Sequence, residues 1–117
     1  MRIEAEGAVI LYGLKTCDTC RKALAALRSA GQPVALRDIR AEPLSEAERS
    51  EFLTAFGAAL VNRSSTTWRG LSEAERALPP AELLARHPAL MKRPVIRARD
   101  GTLHLGWTAA VQAALAG

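Results

Sequence analysis

Gly7-Ala-Val-Ile-Leu-Tyr12-Gly-Leu-Lys-Thr-Cys17-Asp-Thr-Cys20-Arg-Lys22 is the stretch that decides the fold. An apolar run of strand type, Val9 to Tyr12, ends at Gly13, and a short polar turn follows. From there Cys20, Ala23, Leu24 and Leu27 recur at helical spacing, predicting a helix over residues 18–30 that Gly31 ends. This layout puts Cys17 at a helix N-terminus, where unpaired N–H groups and the positive end of the helix dipole favour thiolate over thiol. Cys20 falls on the inward face of the same helix. The chain has no other cysteine.

Pro33-Val-Ala-Leu-Arg-Asp38-Ile39 reads as a second strand. Strand, helix and strand this closely joined predict a right-handed parallel βαβ unit. The character changes over residues 44–90. Ser45-Glu-Ala-Glu48 and Ser72-Glu-Ala-Glu75 both match the capping-box pattern of a helix start. The first of these helices carries Phe52, Leu53 and Phe56 and stops near Gly57; the second is short and stops at Pro79-Pro80. Pro80 opens a third helix, with Leu83 and Leu84 inward and Pro88 beyond its end. After Pro94, residues 95–99 read as a strand, Asp100-Gly101 as a two-residue hairpin turn, and Thr102-Leu-His-Leu105 as the partner strand. Thr108 then caps an Ala-rich last helix with Val111 and Leu115 on its apolar side. The expected organisation is one α/β domain: a core over about residues 7–43 and 91–117, and a helical insert over about 44–90.

A length of 117 residues, 49% of them apolar and 24% charged, suits one domain with its own core and no disulfide staples. Two cysteines are too few for a secreted disulfide framework. Met1-Arg-Ile-Glu-Ala-Glu6 carries two acids with no long apolar segment behind it, unlike a signal peptide, and no apolar run could span a bilayer. A cytoplasmic location is therefore expected. The net charge of +4 is scattered, and aromatic residues make up only 4%, so nucleic-acid bases would find few stacking platforms. Small anions, such as glutathione carboxylates, are the expected partners, rather than nucleic acid or membrane. A closed zinc site needs four ligands, and only His87 and His104 could join the two cysteines; both read as ordinary surface or edge histidines, and no metal is expected.

The order β-α-β, helical insert, β-β-α, with CxxC after the first strand and a proline opening the third, looks like a thioredoxin-like fold. That fold has a mixed four-stranded sheet with flanking helices, here with an inserted helical subdomain. More narrowly, the chain resembles the arsenate reductase (ArsC) family, in the branch that includes Spx-like regulators and small glutathione-linked reductases. Four blocks carry the resemblance: Leu11-Tyr-Gly-Leu-Lys-Thr-Cys17-Asp-Thr19, Thr66-Thr-Trp-Arg69-Gly-Leu71, Lys92-Arg-Pro94-Val95 and Leu105-Gly-Trp107. The resemblance implies that Cys17 is the catalytic nucleophile and that Arg93 binds an anion. It also implies that Pro94, commonly cis in this fold, lies beside the thiol.

Two positions depart from the family pattern. Ser64 stands where close relatives carry an arginine, and Arg63, one residue earlier, is the candidate replacement. Trp107 stands where arsenate reductases carry an arginine after the last strand's glycine. An arsenate oxyanion needs several fixed donors, which arginine forks supply best, so the departures turn the expectation away from arsenate.

The expected activity is that of a thiol–disulfide oxidoreductase with no bound cofactor and glutathione as thiol co-substrate. Cys17 would attack a disulfide or oxyanion, and Arg93, with Arg63, would hold a glutathione carboxylate. Cys20 is either a resolving thiol or a small buried hydrophobe; its spacing fits both. Glutaredoxin or thioredoxin are candidate protein partners, and the chain is expected to be a monomer. A second expectation, of a different class, is an Spx-like regulator that binds RNA polymerase and uses CxxC as a switch. Lys15 and Arg69 read as solvated, Trp68 and Trp107 as packing residues, and Thr16 and Asp18 as caps of the first helix.

Overall fold

The computed structural model describes residues 7–116; residues 1–6, on which the reading of no signal peptide rests, and Gly117 lie outside the described residues. The chain divides into two compact units, Met1–Asp38 with Arg93–Gly117, and Ile39–Lys92.

The first unit is built on a four-stranded mixed sheet in the order β2-β1-β3-β4. The strands are β1 (Val9–Gly13), β2 (Val34–Asp38), β3 (Val95–Arg97) and β4 (Leu103–Leu105), with helix α1 (Asp18–Ser29) linking the first two. β1 and β2 run parallel from Val9↔Val34 to Gly13↔Asp38, whereas β3 lies antiparallel to β1, with Leu11 opposite Ile96. This is the expected thioredoxin-like arrangement. Being central explains β1's apolar run: Val9, Leu11, Tyr12 and Gly13 are all buried. Alternation sends Val9 and Leu11 to one face, where they meet Cys20, Ala23 and Leu27 of α1, Ile96 of β3, and Val111 and Leu115 of the last helix. α1 ends where Gly31 takes φ +79°, a backbone state open mainly to glycine. Beyond it, the Gln32 side-chain amide donates to the Leu115 carbonyl at 2.6 Å.

The β3–β4 turn differs from the two-residue reading. Ala98 N–H donates to Thr102 O at 2.8 Å, and Gly101 N–H donates to Ala98 O at 2.9 Å, so Arg99-Asp100-Gly101 form a three-residue loop. A two-residue type I′ turn would need positive φ at Asp100, and among the described residues only glycines adopt it. Gly101 alone takes the left-handed conformation, at φ +92°, while Asp100 Oδ1 accepts the Thr102 N–H at 3.0 Å.

The second unit is helical. It holds α2 (Glu46–Phe56), α3 (Thr66–Arg69), α4 (Glu73–Arg76) and α5 (Pro80–Arg86), with 3-10 turns at Gly57–Leu60 and Pro88–Leu90. Phe52, Leu60, Leu83, Leu84, Leu90 and Met91 are buried in it. The Ser45 capping box is complete: Ser45 Oγ accepts the Glu48 N–H at 3.1 Å, and Glu48 Oε1 accepts the Ser45 N–H at 2.8 Å. Ser72 likewise accepts the Glu75 N–H at 3.1 Å, but the Glu75 carboxylate is shared, meeting His87 Nε2 at 3.0 Å. α4 stops at Arg76, short of the two prolines. α5 opens on Pro80 as expected. The one-turn α3, capped by Ser65, and a bridge between Val61 and Met91 have no counterpart in the sequence reading.

In the first unit, α6 (Ala109–Ala116) closes the chain, and Thr108 Oγ1 accepts the Val111 N–H at 3.2 Å, the expected cap.

Candidate functional site

The turn after β1 delivers Cys17 to the residue just before α1. Cys17 N–H donates to Leu14 O at 3.0 Å, which closes the turn, and Cys17 C=O accepts the Arg21 N–H at 3.0 Å, which starts the helix. Cys17 is therefore itself the N-cap residue, in extended conformation with φ −85° and ψ 122°. This corrects the expectation that Thr16 and Asp18 cap the helix: Asp18 lies in its first turn, loosely paired with Arg21 at 3.8 Å, and both side chains are exposed. Sulfur is a weaker and longer-reaching acceptor than a hydroxyl, and Cys17 makes no regular cap hydrogen bond; the Cys20 N–H nonetheless faces it and favours its ionised form.

The two thiols are free, and they differ in environment. Cys17 is half-buried; Cys20, three residues on and facing the core, is only 1% exposed. Burial pushes the Cys17 thiol up, but the Cys20 N–H, the Arg93 guanidinium and the Cys20 thiol outweigh it, so its pKa lies below the ordinary thiol value. At Cys20, burial dominates and a Cys17 thiolate adds to it, pushing the pKa up to about 11 even though the Leu14 N–H favours the anion. The arrangement ionises Cys17 at the helix tip before Cys20 beneath it, and the protonated Cys20 thiol donates to the Cys17 sulfur.

Arg93 reaches this site from the other side of the helical unit in sequence. It sits just before β3, and the Arg93–Pro94 peptide bond is cis, with Pro94 buried. The guanidinium both hydrogen-bonds to Cys17 and acts on it through its charge. Cys17, Cys20, Arg93 and Pro94 thus belong to one unit and one site. Arg63 belongs to the helical unit. Its guanidinium stands 5.3 Å from the centroid of the Trp68 ring, with Arg76 at 5.6 Å from the same ring. Arg69 is exposed, as expected, and donates to Ser64 O at 2.8 Å. Trp107 is half-buried and packs against the first unit's core, which fits its reading as a packing residue.

Two contributors were missed by the sequence reading. The Leu14 N–H supports the Cys20 sulfur. Gly13, the last residue of β1, lets that sulfur lie against the strand: a Cβ there would run into Cys20 Sγ. The available signal was a glycine closing an otherwise bulky central strand just before the thiol turn. Among the described residues, no three or more His, Cys, Asp or Glu side chains come together in a metal-binding group. Nor is any described helix long and apolar enough to cross a membrane.

An ionisable thiol on the first turn after a central strand, supported by an arginine that precedes a cis-proline, places the chain among thioredoxin-like thiol proteins. A family model confirms the narrower assignment: ArsC family matches residues 12–114, and the chain belongs to that family. Among solved structures it is similar to the YffB protein, with 29% identity, a TM-score of 0.85, and coverage of 94% of this chain and 100% of the other. It is also similar to an arsenate reductase (ArsC) related protein from Brucella melitensis, with 35% identity and a TM-score of 0.71 over 92% of both chains. The global transcriptional regulator Spx of Listeria innocua is 36% identical over 94 residues, which is 75% of this chain and 72% of the regulator.

Proposed function

We propose that this protein is a glutathione-dependent thiol–disulfide oxidoreductase with Cys17 as its nucleophile. The observation that carries the reading is the placement of a half-buried Cys17 as the N-cap of α1, hydrogen-bonded by Arg93, with the buried Cys20 thiol against it. The same contacts lower the Cys17 pKa, while burial raises that of Cys20. The Cys17 thiolate attacks one sulfur of a disulfide or glutathionylated substrate. A Cys17–sulfur bond forms, the substrate S–S bond breaks, and the departing thiolate takes a proton from water. Cys20 then attacks Cys17 Sγ, closing an internal disulfide and releasing the second thiol. Two glutathione molecules reduce that disulfide, leaving as glutathione disulfide. Glutaredoxin or thioredoxin could donate the same two electrons. Arg93 steadies the Cys17 thiolate and offers a cation to a glutathione carboxylate, with Pro94 forming the adjoining wall. Arg63, whose guanidinium stands over the Trp68 ring, is the candidate second cation for the glutathione carboxylates. Such a cycle suits a compartment rich in reduced glutathione, such as the cytoplasm.

Glutathione-coupled reduction of a small disulfide tests this. Cys17→Ser is expected to drop turnover to background; retained turnover overturns the assignment. The similarity to Spx, together with the paired cysteines, supports a second reading, in which the thiol pair switches binding to RNA polymerase and need not turn over a substrate. Redox-dependent polymerase capture with silent disulfide assays would select that reading instead.

A further inference from the structure

We propose that Gly13 is a positioning residue for disulfide closure: its missing side chain is the space that keeps the Cys20 sulfur in line with Cys17. The inference rests on the resolving role given to Cys20 above.

Gly13 is buried at the end of β1 and pairs with Asp38 of β2. Backbone conformation does not demand glycine there. Gly7, Gly31, Gly57, Gly101 and Gly106 are the described glycines with positive φ, and Gly13 is not among them. What excludes a side chain is its neighbour. A Cβ on Gly13 would overlap Cys20 Sγ and come within 3.4 Å of both Cys20 Cβ and Leu11 Cδ2. At Gly31, Gly57 and Gly101, by contrast, a Cβ would meet nothing within 4 Å.

The Cys20 sulfur is thus held on three sides: by the Gly13 backbone, by the Leu14 N–H and by the Cys17 thiol. The Cys20 backbone cannot shift to make room, because the next turns of α1 seat Ala23 and Leu27 in the core at 0% and 3% exposure. A methyl group at position 13 therefore has to rotate the sulfur out of its present place against Cys17, or lift the strand.

Closure depends on that place. With Cys17 in a mixed disulfide, the Cys20 sulfur must approach Cys17 Sγ along the existing S–S axis. The Cys17–Cys20 bond forms as the bond to the substrate sulfur breaks. The pair is oxidised by two electrons, the substrate sulfur is reduced, and the Cys20 proton leaves with it as a thiol. Misplacement by about 1 Å can slow such a step roughly 100-fold.

The test exposes reduced full-length protein to glutathione disulfide, quenches it with acid at intervals and reads the intact mass. The wild type is expected to pass through a transient glutathione adduct to an internal disulfide. Gly13→Ala is expected to hold the adduct on Cys17, as Cys20→Ser does, with closure slowed roughly 10- to 100-fold. Its Cys17 pKa, titrated by thiolate absorbance, is expected to rise as the Cys20 donor is lost. Wild-type closure in a folded Gly13→Ala overturns the inference. A wild type that keeps the adduct and never closes overturns it too, while leaving Cys17 as a monothiol nucleophile. A wild type that forms neither species overturns the oxidoreductase reading itself. If Gly13→Ala does not fold, Cys20→Ala in the same chain is expected to restore folding by removing the sulfur. Failure of that rescue would show that the strand, not the thiol, requires glycine, and would overturn the proposal.

Discussion

The two units hold their shape by different means. In the sheet unit the decisive contacts join distant parts of the chain: β1 pairs with β3, and Arg93 reaches Cys17. In the helical unit most fixed points are local. Ser45, Ser65 and Ser72 each bond an N–H three residues on, and Pro80 and Pro88 begin the elements that follow them. Local caps define where a helix starts, but they do not bring together two side chains from opposite ends of a sequence. Long-range strand pairing does, and the candidate chemistry sits in the unit that has it.

The contrast is open to direct attack, beginning with the largest effect. Leu11 is fully buried on the central strand, opposite Ile96 and within the cluster that seats α1 and α6. Leu11→Ala is expected to destabilise the protein by about 2–5 kcal/mol, the usual range for a large-to-small core change. It would be read as a lower urea midpoint at unchanged slope. A loss below roughly 1 kcal/mol would mean that the site can collapse around the cavity and that the sheet core is less tightly organised than its pairing suggests.

A smaller effect comes from pH. The folded state raises Cys20 to about 11, so it holds the thiol protonated while the unfolded chain ionises nearer the ordinary value of 9.0. That contribution is present below pH 9.0 and is lost as pH rises towards about 11. The slope is at most about 1.4 kcal/mol per pH unit. Cys17 carries the opposite sign: its lowered pKa favours the fold at alkaline pH and is lost as pH falls through the folded value. Stability followed from pH 7 to 11 should therefore fall less steeply in Cys20→Ala than in wild type, and more steeply in Cys17→Ser. Parallel curves in all three would break the idea that the two thiols experience different surroundings.

Much of the sheet unit was legible in the sequence because its signals are periodic. The spacing of Cys20, Ala23 and Leu27 identified the buried face of α1, and the apolar run from Val9 identified a central strand. Capping chemistry revealed α2 in the same way. The rest lacked a local signature. α3 is a single turn, too short for periodicity, and the Val61–Met91 bridge joins residues with no pattern in common. The β3–β4 loop was misread because Asp-Gly fits two turn types, and only the register of Ala98 with Thr102 separates them. At the site, the strand-to-helix layout placed Cys17 at a helix tip, but nothing in the spacing joined it to Arg93; only family resemblance did. Gly13 stayed hidden because its reason is the position of another residue's sulfur.

The smallest effect separates two motifs that look identical in sequence. Ser45 and Ser72 both begin a Ser-Glu-Ala-Glu run, and both accept the expected N–H. At Ser45, Glu48 answers with its own bond, and the box starts an 11-residue helix that buries Phe52. Ser45→Ala is expected to lose about 1 kcal/mol, the typical value of a cap. At Ser72 the box starts a four-residue turn with no buried residue, and Glu75 divides its carboxylate between the Ser72 N–H and His87. A single turn gains little from propagation, and the His87 contact survives loss of the serine hydroxyl. Ser72→Ala should therefore cost about half as much, at the low end of the cap range. Urea midpoints of the two variants measured side by side decide it: an equal or larger loss at Ser72 would mean that α4 is a fixed support of the helical unit, and that local caps there carry more than the helices they begin.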